Sequence, residues 1–130
     1  IAHQDEIPGT GRAVECALDS LPADFNGAVI VTSGDVPLLD VPTLESLLDA
    51  HLEGKFAATV LTAIVEDPTG YGRVIRSNDG KFIEIIEDRD ADSEQLEIRE
   101  VNAGVYVFDA VISIILKKLK FIVYINILIS

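Results

Sequence analysis

The sequence predicts an α/β domain built on a mixed, mostly parallel sheet. Three stretches carry that expectation: a short apolar strand from Ala28 to Thr32, an amphipathic helix after Asp40, and a β-branched run from Ala57 to Val65. The first strand continues into Ser33, Gly34 and Asp35 before Pro37 breaks the run. Open α/β sheets place ligand groups in the crevice beyond the carboxyl ends of their strands, so Asp35 is the first candidate for chemistry.

The elements follow in order. Gly9-Thr10-Gly11 opens a helix over residues 12–21, where Val14, Ala17, Leu18 and Leu21 share one face and Pro22 stops the run. The strand Ala28 to Thr32 is continuously apolar, which suits a central position covered on both faces. Asp40 caps the next helix, Pro42 fits its first turn, and Leu44, Leu47, Leu48 and Leu52 form its apolar stripe up to Gly54. A second buried strand closes at Asp67-Pro68-Thr69-Gly70. Val74-Ile75 and Phe82 to Ile86 flank Asn78-Asp79-Gly80, a strong hairpin signal, so antiparallel strands join the sheet here. Asp88 to Arg99 reads as an exposed charged loop with one short helical turn, and Val101 to Phe108 as a returning strand.

Composition narrows the function. A length of 130 residues with 48% apolar content suits one domain or part of one. The net charge of -12 argues against nucleic acid or an acidic membrane as partner, yet allows an anionic small molecule bridged by a divalent cation. Cys16 is the single cysteine, so no internal disulfide forms; it reads as a core-facing helix residue, and a reducing compartment is expected. The chain starts at Ile1, contains no methionine and carries no readable leader, so its true start is expected to lie upstream. Residues 111–130 differ from the rest: isoleucine dominates, Lys117, Lys118 and Lys120 cluster, and the following ten residues are uncharged. That stretch is about half the roughly 20 residues of a membrane span, and the shift reads as out-of-frame translation.

Several side chains suit binding chemistry. Backbone amides at Gly9-Thr10-Gly11 can face a base or phosphate, and the Gln4 amide can pair with a nucleobase edge. Asp35 beside Gly34 suits an oxygen-loving cation with room for phosphates. Gly70-Tyr71-Gly72-Arg73 forms a tight loop, and Glu87 and Asn102 at strand ends add the fixed acceptors and donors that sugar hydroxyl and N-acetyl groups require. Each of these residues has a blander reading as a turn, a cap or a solvated strand end. His3 and His51 match no metal spacing, His51 reads as bordering a helix face, and no Ser-His-Asp or Cys-His arrangement is present.

Taken in order, QDEIPGTGRA, SGDVPLL, DPTGYGRV, IIEDRDA and EVNAGVYVFD closely resemble the uridyltransferase domain of the bacterial bifunctional enzymes that make UDP-N-acetylglucosamine. The resemblance implies a Rossmann-like nucleotidyltransferase fold (nucleotide-diphospho-sugar transferase), incomplete at both ends, over residues 1–110, followed by the atypical tail 111–130. It implies that Gln4, Gly9, Thr10, Ser33, Gly34 and Asp35 meet the uridine nucleotide, that Asp35 binds catalytic Mg2+, and that Gly72, Glu87 and Asn102 hold N-acetylglucosamine 1-phosphate. The implied reaction joins UTP and that sugar phosphate to give UDP-N-acetylglucosamine, a cell-wall precursor, and pyrophosphate; the resemblance also implies a cytoplasmic location and a homotrimeric parent. Arg12 departs from the histidine of many members. The resemblance also places a phosphate-binding loop upstream of Ile1, and a second metal ligand and an acetyltransferase β-helix downstream, so these residues alone are expected to be inactive. Two rivals remain: another sugar-phosphate nucleotidyltransferase, and a non-catalytic module that binds nucleotide sugar.

Overall fold

The computed structural model describes residues 3, 5, 6, 10–33 and 39–109, the side chains of residues 10–12 excepted. Its elements run α1 (Thr10–Leu18), β1 (Ala28–Thr32), α2 (Val41–Gly54), β2 (Ala58–Ile64), β3 (Arg73–Arg76), β4 (Phe82–Ile86), a 3-10 turn (Asp88–Asp90), α3 (Ser93–Leu96) and β5 (Glu100–Asp109). Helix α1 begins two residues before the expected start. The tail 111–130 lies outside the described residues.

Local chemistry sets most boundaries. The Asp40 carboxylate accepts the Thr43 N–H at 2.9 Å, and that bond holds its pKa below the usual carboxylate value. Helix α2 ends at Gly54 as expected, and Lys55 takes the left-handed turn at φ 51° and donates to Leu52 O at 3.3 Å. A Cβ at Gly54 would run into the Phe56 ring. The hairpin forms where expected: Gly80 sits at φ +81°, and Ser77 N–H donates to Lys81 O at 2.8 Å. The charged segment after β4 contains two helical turns instead of one. In α3, Asp92 accepts Glu94 N–H and Gln95 N–H while Gln95 accepts the Asp92 N–H, a reciprocal capping box.

The sheet corrects two expectations. All pairings among the described residues are antiparallel, not mostly parallel. Strands β1 and β2 do point the same way, as a strand–helix–strand unit demands, but β5 lies between them and runs opposite to both. Spacing along the sequence reports that β1 and β2 are linked through α2, and says nothing about a third strand that arrives from much further along the chain. Strand β1 is also not central: among the described residues it pairs with β5 alone, and Ile30 is 39% exposed.

Strand β5 organises the core. Its residues Val105 and Val107, fully buried, meet Leu47 of α2 together with Leu44 and Leu48. On the opposite face Tyr106 and Phe108 cluster with Ala58 and Val60 of β2 and with Phe82 and Ile85 of β4. His51 is more deeply placed than a helix border: it is buried, and its Nδ1 lies 2.9 Å from Thr59 Oγ1. Burial pushes its pKa down, opposed in part by the negative charge of Asp109. Cys16 is half-buried on α1. No described helix is long and apolar enough to cross a membrane.

Candidate functional site

The site is built on a discontinuity along one edge of β5. Residues 106–108 pair with both β1 and β2, so these two strands take opposite edges; Val101 pairs with both β2 and β3, so these do as well. Strands β1 and β3 therefore share one edge of β5, end to end. The carboxyl end of β1 stops where Ser33 N–H donates to Gly104 O at 3.1 Å, and the chain entering β3 begins where Asn102 N–H donates to Gly72 O at 2.9 Å. Between them lies a notch at Ala103, the kind of strand-end crevice that open α/β sheets use for ligands.

A bulge in β5 sits beside this notch. From Val60 to Thr62 the partner strand advances two residues while β5 advances four, from Tyr106 back to Asn102. Gly104 absorbs the excess at φ +74°, and a Cβ there would lie 3.2 Å from Ser33 Oγ. The Asn102 side chain fastens the bulge: its Oδ1 accepts Gly104 N–H at 2.9 Å, and its Nδ2 donates to Tyr106 Oη at 2.5 Å.

Three of the expected sugar-phosphate residues come together. One step beyond the Arg73–Ile86 pair sets Gly72 beside Glu87, and one step beyond the Arg73–Val101 pair sets it beside Asn102. Glu87, Gly72 and Asn102 thus form one row across three strands, with side-chain positions on a common face. Gly72 is itself buried, and a Cβ would meet Ile85 Cγ2 at 2.8 Å and approach Asn102 Cβ at 3.8 Å. Glycine at this position lets Ile85 pack against the backbone between an exposed carboxylate and a half-buried amide.

Arg73, which sequence reasoning passed over, anchors the row from behind. It is 2% exposed; one guanidinium nitrogen lies 2.9 Å from Asp88 Oδ1 and 3.4 Å from Leu96 O, and another donates to Tyr71 O. Since Arg73 follows Gly72 and Asp88 follows Glu87, this ion pair ties two of the three row residues together. A second pair, Arg76 with Glu100, is bidentate at 2.7 Å on both contacts and is extended by Thr62 Oγ1 at 2.9 Å. The Arg76 guanidinium is the main cause of the lowered Glu100 pKa.

Of the expected nucleotide residues, Ser33 is exposed at the end of β1 beside Gly104, and Thr10 opens α1. Gln4, Gly9, Gly34 and Asp35 lie outside the described residues. Asp35 is two residues beyond Ser33 in the chain. Among the described residues no group of three or more His, Cys, Asp or Glu side chains gathers as for a metal. Gly104 and Tyr106 also went unread in the sequence. The signal was present for Gly104, because a glycine inside a strand pattern marks a bulge.

The fold and this strand-end crevice define an α/β protein of the kind that receives ligands beyond its strand ends, and comparison specifies the family. Residues 1–122 match the family described as "Nucleotidyl transferase", and the chain belongs to it. Among curated relatives, it is 61% identical over 110 residues to "Bifunctional protein GlmU" of Clavibacter sepedonicus, covering 85% of this chain and 22% of that protein. It is 59% identical over 110 residues to the protein of that name from Kineococcus radiotolerans, with the same coverages. The chain thus spans about a fifth of the length of these relatives. A solved structure, a putative glucose-1-phosphate thymidylyltransferase from Bacillus anthracis in complex with a sucrose, superposes with TM-score 0.61 at 25% identity, over 91% of this chain and 44% of that one. Apo-UDP-glucose pyrophosphorylase shares the fold at TM-score 0.57 and 18% identity, over 88% and 43%.

Proposed function

We propose that this chain is the central part of an N-acetylglucosamine-1-phosphate uridyltransferase. The observation that carries the reading is the Glu87–Gly72–Asn102 row opening onto the carboxyl end of β1, in a chain 61% identical to a bifunctional GlmU. In the proposed reaction, a phosphate oxygen of N-acetylglucosamine 1-phosphate attacks the α-phosphorus of UTP, and pyrophosphate leaves. The work of the protein is positioning and charge neutralisation.

Each residue then has a task. Glu87 accepts hydrogen bonds from sugar hydroxyls, Asn102 offers a donor and an acceptor to the same sugar, and the backbone of Gly72 lies between them. Gln4, Gly9, Thr10, Ser33 and Gly34 form the nucleotide side. The Asp35 carboxylate would hold Mg2+, a hard cation that suits an oxygen donor and that would supply neutralisation of phosphate charge. The parent protein, proposed as a cytoplasmic homotrimer, also acetylates glucosamine 1-phosphate through a β-helix.

Titration calorimetry tests the reading on the chain, once circular dichroism has established that it is folded. Saturable, Mg2+-dependent binding of UDP-N-acetylglucosamine, weakened by Asp35→Ala and stronger than binding of dTDP-glucose, supports it. A preference for dTDP-glucose favours a different sugar-phosphate nucleotidyltransferase. Binding unaffected by Mg2+ and by Asp35→Ala favours a non-catalytic nucleotide-sugar module.

A further inference from the structure

We infer that Tyr106 is a positioning residue of the sugar subsite, acting through Asn102. The inference rests on the reading of Asn102 as a sugar contact and goes beyond it. An asparagine amide can be rotated by half a turn with little steric change, which exchanges its donor for its acceptor. At Asn102 that exchange is blocked. The Gly104 N–H can be received only by Oδ1, at 2.9 Å, which leaves Nδ2 to donate to the Tyr106 hydroxyl at 2.5 Å.

One bond comes from the middle of the bulge and the other from its far end, so the amide is held by backbone through Oδ1 and by a phenol through Nδ2. Each bond uses part of the amide's capacity: one Nδ2 hydrogen and one Oδ1 lone pair remain. A single donor beside a single acceptor complements an N-acetyl group or a hydroxyl, provided that their order is fixed. The Gly104 N–H fixes that order, and the Tyr106 hydroxyl, bonded on the Nδ2 side, holds the amide in its plane. The ring that carries the hydroxyl is itself restrained, stacked on Phe108 with centroids 6.0 Å apart and planes 16° apart, within the cluster of Ala58 and Val60. Tyr106→Phe therefore removes the hydroxyl and keeps the packing.

The test has two readouts on the 130-residue chain. In 15N-labelled protein, the Asn102 side-chain amide pair, assigned by its loss in Asn102→Asp, is expected to shift in Tyr106→Phe, while backbone amides of α2 stay in place. An Asn102 pair unchanged by Tyr106→Phe overturns the inference. Calorimetry then compares UDP-N-acetylglucosamine with UDP, which lacks the sugar. Tyr106→Phe should weaken the nucleotide sugar by about threefold to tenfold and leave UDP unchanged. The double variant Tyr106→Phe, Asn102→Ala should bind no more weakly than Asn102→Ala alone, because the hydroxyl acts only through that amide. Additive losses, or equal losses for UDP and UDP-N-acetylglucosamine, overturn the inference and assign Tyr106 a general structural role. If Asn102→Ala leaves nucleotide-sugar affinity unchanged, or the folded chain binds no nucleotide sugar, the subsite reading itself fails and takes the inference with it, whatever the amide shift.

Discussion

Lys55 is the single non-glycine residue at positive φ among the described residues, and it pays an avoidable steric cost at the end of α2. Lys55→Gly is expected to raise stability by about 0.5–1 kcal/mol, read from the urea midpoint. The opposite holds at Gly104, where φ is +74° and Ser33 Oγ stands 3.2 Å from an added Cβ. Gly104→Ala should cost about 1–2 kcal/mol and weaken nucleotide-sugar binding, because the displaced bulge carries Asn102 with it. His51 gives the chain a pH dependence. Its folded pKa is lowered from 6.5 by burial, so its contribution is complete above about that pH and is lost as pH falls below it toward the lowered value. The lowered carboxyls of Asp40, Asp67, Asp79 and Glu100 contribute above their ordinary values of 3.8 to 4.5, and their share is lost only below these. A loss of stability between pH 6.5 and 4.5 is thus assigned to His51, and urea midpoints at pH 7 and 5.5 should differ less in His51→Gln than in the parent chain. Residues such as Asp40 and Gly80 were legible in the sequence because their bonding partners lie within four positions. Tyr106 was not, because its task depends on how a bulge in β5 turns Asn102.

Elements were legible where the pattern is local, and their partners were not. The stripe of α2 and the turn at Asn78-Asp79-Gly80 specify a helix and a hairpin from a dozen residues each. Strand direction depends on β5, whose ten residues show the same apolar character whichever way the neighbours run. The row Glu87–Gly72–Asn102 was likewise named one residue at a time, and only the β3 registers bring the three together. Holding that row falls to Arg73. Its guanidinium is buried while its partner Asp88 is 34% exposed, so removing the carboxylate leaves a buried cation hydrogen-bonded to carbonyls, with the charge of Asp67 at longer range. Asp88→Ala should destabilise by about 2 kcal/mol, less than a fully buried pair because water reaches Asp88. It should also loosen Glu87, its neighbour, and weaken sugar binding beyond what stability explains. An equal effect on UDP and on the nucleotide sugar, measured by calorimetry, would contradict a link between this ion pair and the sugar end of the site.

At the scale of the molecule, one sheet carries the site and, among the described residues, strands with an unpaired edge at β1, β2 and β4. Among the described residues β1 and β2 each pair only with β5, and each outer edge is bordered by an apolar groove. The groove at β1, about 300 Å³, lies against Val14, Ala17 and Leu18 of α1; that at β2, about 440 Å³, lies between Leu47 of α2 and Phe56. Unpaired N–H and C=O groups beside apolar surface invite strand addition from a second copy, and charge repulsion opposes it. With a net charge of -12 the repulsion is considerable at low ionic strength, where its range is tens of ångströms. Salt shortens that range to about 3 Å at 1 M while leaving backbone pairing and apolar burial intact. Sedimentation velocity should therefore show the chain associating as salt rises from about 0.05 M to 1 M. Ile30, 39% exposed on β1, is the point at which to intervene: Ile30→Lys sets a charge on the edge and should hold the chain monomeric to higher salt. Association that ignores salt, or that Ile30→Lys leaves unchanged, would move the sticky surface away from β1 and make the β2 groove the next place to introduce a charge.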